Sequence, residues 1–268
     1  MLQYMVSRCT SSQLLSFTST SVITILLKGG AALTKGLNAF QLKLIAIIAM
    51  LIDHIAWAFV PLDTALGQAI HFVGRITAPT MCFFIVQGYK HTRSLPRYSG
   101  RLALFAIVSQ LPFSYYNFGR PGFFPLNVIY TLTLGLLAIH CWETITDDSR
   151  RWMAVILLTI LSGPADWSMF GVAMCLLFHI FERDRVRLNI VMGTMIIVLI
   201  AGQLAAEMSF GLDFRRALAN SWYHGGLLLG FLLPRLYNGE RGGGAWSKWL
   251  FYGFYPLHLV ILGLLRWR

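Results

Sequence analysis

NAFQLKLIAIIAMLIDHIAWAFVP, residues 38–61, decides how the chain is read. The run is apolar and long enough to cross a bilayer, which takes about 20 helical residues. Yet it carries Lys43 near its start and the adjacent Asp53 and His54 well inside. A charge at bilayer depth costs about 2.5–3.5 kcal/mol on insertion scales. Such residues therefore face a protein interior and mark functional positions by default.

The rest of the chain follows the same pattern. It has 268 residues, 56% hydrophobic and 12% charged, where a soluble domain carries about 25% charged residues. The expected fold is all-α, a polytopic transmembrane bundle. About nine spans are expected, near 39–60, 68–88, 100–117, 126–142, 152–163, 168–181, 188–206, 221–237 and 247–266. The fifth and sixth are short, and read either as two tilted helices around the Gly163–Pro164 break or as one re-entrant unit. Residues 1–36 read as a leader or poorly ordered extension, and 37–268 as the membrane domain.

Net charge is +11. With the amino terminus cytoplasmic, the inside loops hold fourteen Lys and Arg and the outside loops and tail five. That bias fits the positive-inside rule. It also argues against nucleic-acid binding, since the basic residues are spread through short loops instead of forming one accessible patch. Cys9, Cys82, Cys141 and Cys175 show no paired spacing, so neither a disulfide framework nor a zinc site is indicated.

Depth can be estimated at about 1.5 Å per helical residue. His54, Arg75, Gln110, Asn127, Asp166 and His258 come from different segments, yet all fall toward the outer side. A neutral histidine can take a proton from an attacking amine. Arg75 and Gln110 can hold a developing oxyanion. Neighbouring residues point about 100° apart on a helix, so Asp53 is expected to face Arg75 and not His54. Lys43 lies on nearly the same helix face as His54, at the cytoplasmic mouth, where it can meet a phosphate or simply snorkel. His71, His140 and His179 read as interfacial, and His91 and Arg93 as part of a basic loop. His224 divides evenly between packing and the site. Residues 238–245 read as a flexible turn without chemistry. A lone intramembrane histidine is also often only a helix–helix hydrogen bond.

Several pieces, in order, resemble one family. They are LKLIAIIAMLIDHI (42–55), FVGRITAP (72–79), the Gly88–His91 end of that segment, SQLPF (109–113), NVIYTLTLG (127–135), Asp166 with the Gly171 helix, YNGERG (237–242) and FYPLHL (254–259). Together they look like the TraX family, typified by the enzyme that N-acetylates the amino terminus of conjugative F-pilin. The resemblance implies transfer of acetyl from acetyl-CoA to an acceptor amine at a bacterial inner membrane. The acceptor is then pilin or another envelope molecule, with membrane lipid around the bundle. It makes Asp53, His54, Arg75, Gln110, Asn127 and His258 the motif polar residues, with His91 closing the second motif. Lys43, Lys90, His91 and Arg93 are the expected donor-binding groups. Two other readings stay open: a transporter or channel using the same polar cluster as an ion path, and a scaffold for envelope assembly in which the cluster only packs helices.

Overall fold

The computed structural model describes residues 36–268. Apart from Gly36, the expected leader lies outside them. Among the described residues the regular structure is helical, with two isolated bridges, Leu37 to Tyr237 and Leu126 to Ala165. The helices are α1 (Ala39–Phe59), α2 (Ala65–Gly74), α3 (Thr77–His91), α4 (Leu95–Phe118), α5 (Val128–Thr144), α6 (Asp148–Leu161), α7 (Ser168–Ile180), α8 (Arg185–Ser209), α9 (Phe214–Ser221), α10 (Leu227–Leu232) and α11 (Ser247–Arg266). Short 3-10 turns at Trp222–Gly226 and Leu233–Leu236 flank α10.

Helix starts follow their capping chemistry. Asn38 and Gln41 form a reciprocal capping box on α1, satisfying two donors that a helix start leaves open. YNGERG supplies more: the amides of Ala39 and Phe40 donate to the carbonyls of Glu240 and Arg241, and Leu37 and Asn238 complete the join. Those residues are thus a cap on the first helix, not a free turn. α4 begins before its apolar run because Ser94 caps it and Pro96 suits its first turn.

The second expected span is broken. α2 ends at Gly74 and α3 starts at Thr77, with Arg75 and Ile76 between them. Pro79 explains the break, since its ring has no N–H for the Arg75 carbonyl and crowds that turn. The segment expected at 221–237 is not one helix either. It is two 3-10 turns around α10, interrupted at Gly225–Gly226 and Pro234. The fifth and sixth segments are two helices, joined through a turn whose Pro164 carbonyl and Asp166 amide bond Leu126. α9 has no counterpart in the sequence reading.

Four segments are long and apolar enough to cross a membrane: Ala39–Phe59, the broken Ala65–His91, Arg185–Ser209 and Ser247–Arg266. Val128–Thr144 and Ser168–Ile180 are apolar but shorter. The bundle core joins Ile47, Cys82, Val86, Leu136, Met174 and Leu259. Outside it, Ile48, Ile107, Val108, Ile160, Ile190 and Ile197 are exposed. Exposed apolar surface on this scale marks a lipid or partner contact. α11 packs along α4 and α1, while α2 packs between α1 and the first 3-10 turn.

Candidate functional site

Two polar centres flank the C-terminal half of α1. On one side Asp53 meets α2. Its Oδ1 accepts from His71 Nδ1 at 2.8 Å, and its Oδ2 lies 3.5 Å from Arg75 Nη2. A carboxylate only accepts, so His71 Nδ1 carries the proton. In a neutral ring Nε2 then holds a lone pair. The close approach depends on Gly74, where a Cβ would stand 2.2 Å from Asp53 Oδ1.

The expected Asp53–Arg75 pair is therefore present but shared, and the nearer partner is His71. His71 is fully buried, where an interfacial position had been expected. This end of α2 lies against α1, with Gly74 at Asp53. The available signal was spacing: His71 precedes Arg75 by four residues and shares its helix face.

Aromatic rings close this centre. Trp57 and Tyr223 pack on His71 with centroids 4.3 and 5.8 Å away. The Arg75 guanidinium lies over Trp167 and Tyr223 at 5.1 and 5.0 Å. His224 stacks on Tyr223 at 4.2 Å and is buried, so it joins the centre. His71 Nε2, Arg75 Nε and His224 Nδ1 are all buried without a hydrogen-bond partner.

On the other side His54 meets α11. His258 Nδ1 is 2.8 Å from the Phe254 carbonyl, and His258 Nε2 is 2.9 Å from His54 Nδ1. The carbonyl can only accept, so His258 Nδ1 is the donor. With both rings neutral, His258 Nε2 accepts from His54 Nδ1–H. The lone pair is left on His54 Nε2. Tyr116 fixes the backbone here by donating its hydroxyl to the His54 carbonyl at 2.5 Å.

Gln110 and Asn127 form a separate clamp. Gln110 Nε2 donates to the carbonyls of Gly122, Phe123 and Pro125, at 3.4, 3.3 and 2.9 Å. Its Oε1 accepts from the amide and Nδ2 of Asn127. Asn127 also caps α5 at Ile129 and donates to Ala106 O. Gln110 is committed to the loop before α5, and Asn127 to α4, α5 and Gln110, so the expected oxyanion role of Gln110 does not fit its geometry. Gln110→Ala leaves several of these groups unpaired, at about 1–3 kcal/mol for a buried loss. The expected result is a lower denaturation midpoint and faster proteolysis between residues 119 and 127.

The donor-binding candidates lie apart from these centres. Lys43 Nζ sits over Phe84 and Phe251, at 4.7 and 5.7 Å, with no carboxylate partner among the described residues. Lys90 is ion-paired with Glu182, which Gln87 also holds. His91 Nδ1 donates to the Gln87 carbonyl at 2.8 Å. Arg93 is exposed. Of the four, only Lys90 has a carboxylate partner among the described residues.

Apolar helices enclosing two ionisable centres define a membrane protein with a buried polar site. Residues 39–266 match the TraX protein family, and the chain belongs to that family. It is also 32% identical over 236 residues to a probable fimbrial assembly protein, FimC of serogroup H1, from Dichelobacter nodosus. That match covers 84% of this chain and 94% of the relative. No solved structure matches.

Proposed function

We propose that this protein is a multi-pass enzyme of the bacterial inner membrane that moves acetyl from acetyl-CoA to the amine of an envelope acceptor, pilin foremost. Membership of the TraX family supports the reaction, and the relative's name supports a pilus context. The observation that carries the chemistry is the chain from Phe254 O through His258 to His54. It favours the tautomer in which His54 Nε2 is the base.

His54 Nε2 takes a proton from the acceptor nitrogen as that nitrogen bonds the thioester carbon. Arg75 Nε, a buried donor without a partner, suits the oxyanion of the tetrahedral adduct. As the C–S bond breaks, the proton passes from His54 to the thiolate, giving amide and free thiol. Lys43 and Arg93 offer charge to the donor's phosphates; Lys90 and His91 are occupied and shape the mouth. Asp53 orients His71 and Arg75, and Asn127 holds the outer loop. In this topology the amino terminus is cytoplasmic and about nine segments cross the membrane.

The test is transfer of labelled acetyl from acetyl-CoA to a pilin amino-terminal peptide by the protein reconstituted in vesicles. The parent should transfer, and His54→Ala and His258→Ala should each lose activity. Full transfer by both variants would sink the mechanism. A parent that transports solute but never modifies the peptide would favour the channel reading.

A further inference from the structure

Acetylating an amino terminus requires two proton removals. The α-amine has a solution pKa of about 7.7–8.0 and is mostly an ammonium at neutral pH. It must lose one proton before it has a lone pair to attack with. The tetrahedral adduct then loses a second, which leaves with the thiolate. The net change is ammonium and thioester giving amide, thiol and one released proton. Resting on the acetyl-transfer reading, the His54–His258 chain accounts for the second proton and leaves the first without an acceptor.

We propose that His71, held by Asp53, accepts that first proton from the substrate ammonium, directly or through one water. Its Nδ1 is tied to Asp53 Oδ1 at 2.8 Å, which turns the free lone pair on Nε2 away from the carboxylate. That Nε2 is buried and unpartnered. A buried group left so costs about 1–3 kcal/mol, so the position favours an entering donor. Arg75 Nε, four residues on along the same face, is an unpartnered donor. An amino-terminal residue offers an ammonium for His71, while Arg75 Nε stays free for the oxyanion of the adduct. Asp53 is the positioning residue, steadying the imidazolium once formed.

The charged and titratable groups around His71 fit this role. Asp53 faces it from α1, Arg75 lies on its own helix, and Tyr223, with His224 stacked on it, packs from the 3-10 turn. Glu207 of α8 and Asp166 before α7 lie beyond Tyr223 and Arg75. Asp53 is the only carboxylate in contact with the imidazole among the described residues.

The experiment compares two acceptors in vesicles: a peptide with a free α-amine, and O-benzylhydroxylamine, whose amine is already neutral at pH 6.5. His71→Asn keeps a donor toward Asp53 but cannot take a proton. With the peptide, only the fraction already neutral in solution would react, so the loss should be about 20-fold at pH 6.5 and within about twofold at pH 9. With the hydroxylamine the loss should be small at both. Asp53→Asn, which leaves the imidazole in place, should lose some transfer to both acceptors through Arg75 and show the same additional loss with the peptide at pH 6.5. His54→Asn should lose both acceptors at both pH values. An equal loss across pH and acceptor in both Asp53 and His71 variants, or no loss in either, would overturn the assignment. A parent inactive on both acceptors would instead remove the acetyl-transfer reading.

Discussion

Asp53→Ala is expected to lower stability by about 3–5 kcal/mol, the usual result of removing one partner from a buried charge network. The carboxylate is shared: it accepts from the buried His71 and neutralises Arg75. Alanine leaves the His71 N–H without its acceptor and the guanidinium with only its aromatic neighbours, Trp167 and Tyr223. Neither group can turn to water, because His71 is fully buried and the Arg75 side chain is 11% exposed. The measurement is the denaturation midpoint of purified protein in detergent. Converting the partner as well, in Asp53→Leu with Arg75→Met, should recover part of the loss, since apolar groups of similar volume tolerate burial. A midpoint for Asp53→Ala equivalent to less than about 1 kcal/mol below the parent would mean that the network is solvated and not closed.

Gly226→Ala should have an effect of similar size by a different route. A Cβ at Gly226 would stand 1.8 Å from the Phe72 carbonyl oxygen and 2.6 Å from its carbon. These are backbone atoms of α2, so no side chain can swing aside. The first 3-10 turn must back away from α2, and with it Tyr223 and His224. Overpacking of this kind costs about 1–3 kcal/mol and sometimes more. Here it also opens the packing around His71, so activity should fall together with stability. Gly202→Ala in α8 is the control, since nothing lies within 4 Å of its Cβ position. It should leave the midpoint unchanged or slightly raised. Equal midpoints for the two variants would show that the Phe72 contact does not constrain the fold.

The helical class could be read from the sequence because burial in lipid leaves a long apolar signature. The expected start of α1 fell at its observed capping box, and α11 was expected to within one residue. The segment at 221–237 was misjudged because apolarity alone does not separate an α-helix from 3-10 turns around glycine and proline. α9 was missed because Phe214–Ser221 carries Arg215 and Arg216 and has no apolar run. In the site, depth brought His54 and His258 to one level, while the 100° between neighbouring helix residues pointed Asp53 to Arg75. His71 was assigned to the interface because it lies near a span end, and position along a span does not show that the ring packs against Asp53. Gln110 and Asn127 were expected at the same level as the histidines, but depth does not say where an amide points: Gln110 points at the loop carbonyls of residues 122–125, and Asn127 at Ala106 O and Gln110 Oε1.

The link between His54 and His258 spans 204 residues of sequence. The cap on α1 closes at residues 240 and 241. A chain made from its amino end inserts α1 early, but His54 acquires its oriented tautomer only when α11 docks. A ribosome stalled after α8 would have made a segment with Asp53, His71 and Arg75 in place and an undirected imidazole beside them. On the acetyl-transfer reading, a fragment that lacks α11 leaves the His54 ring without the contact that orients it, and reconstituted alone it should transfer no acetyl.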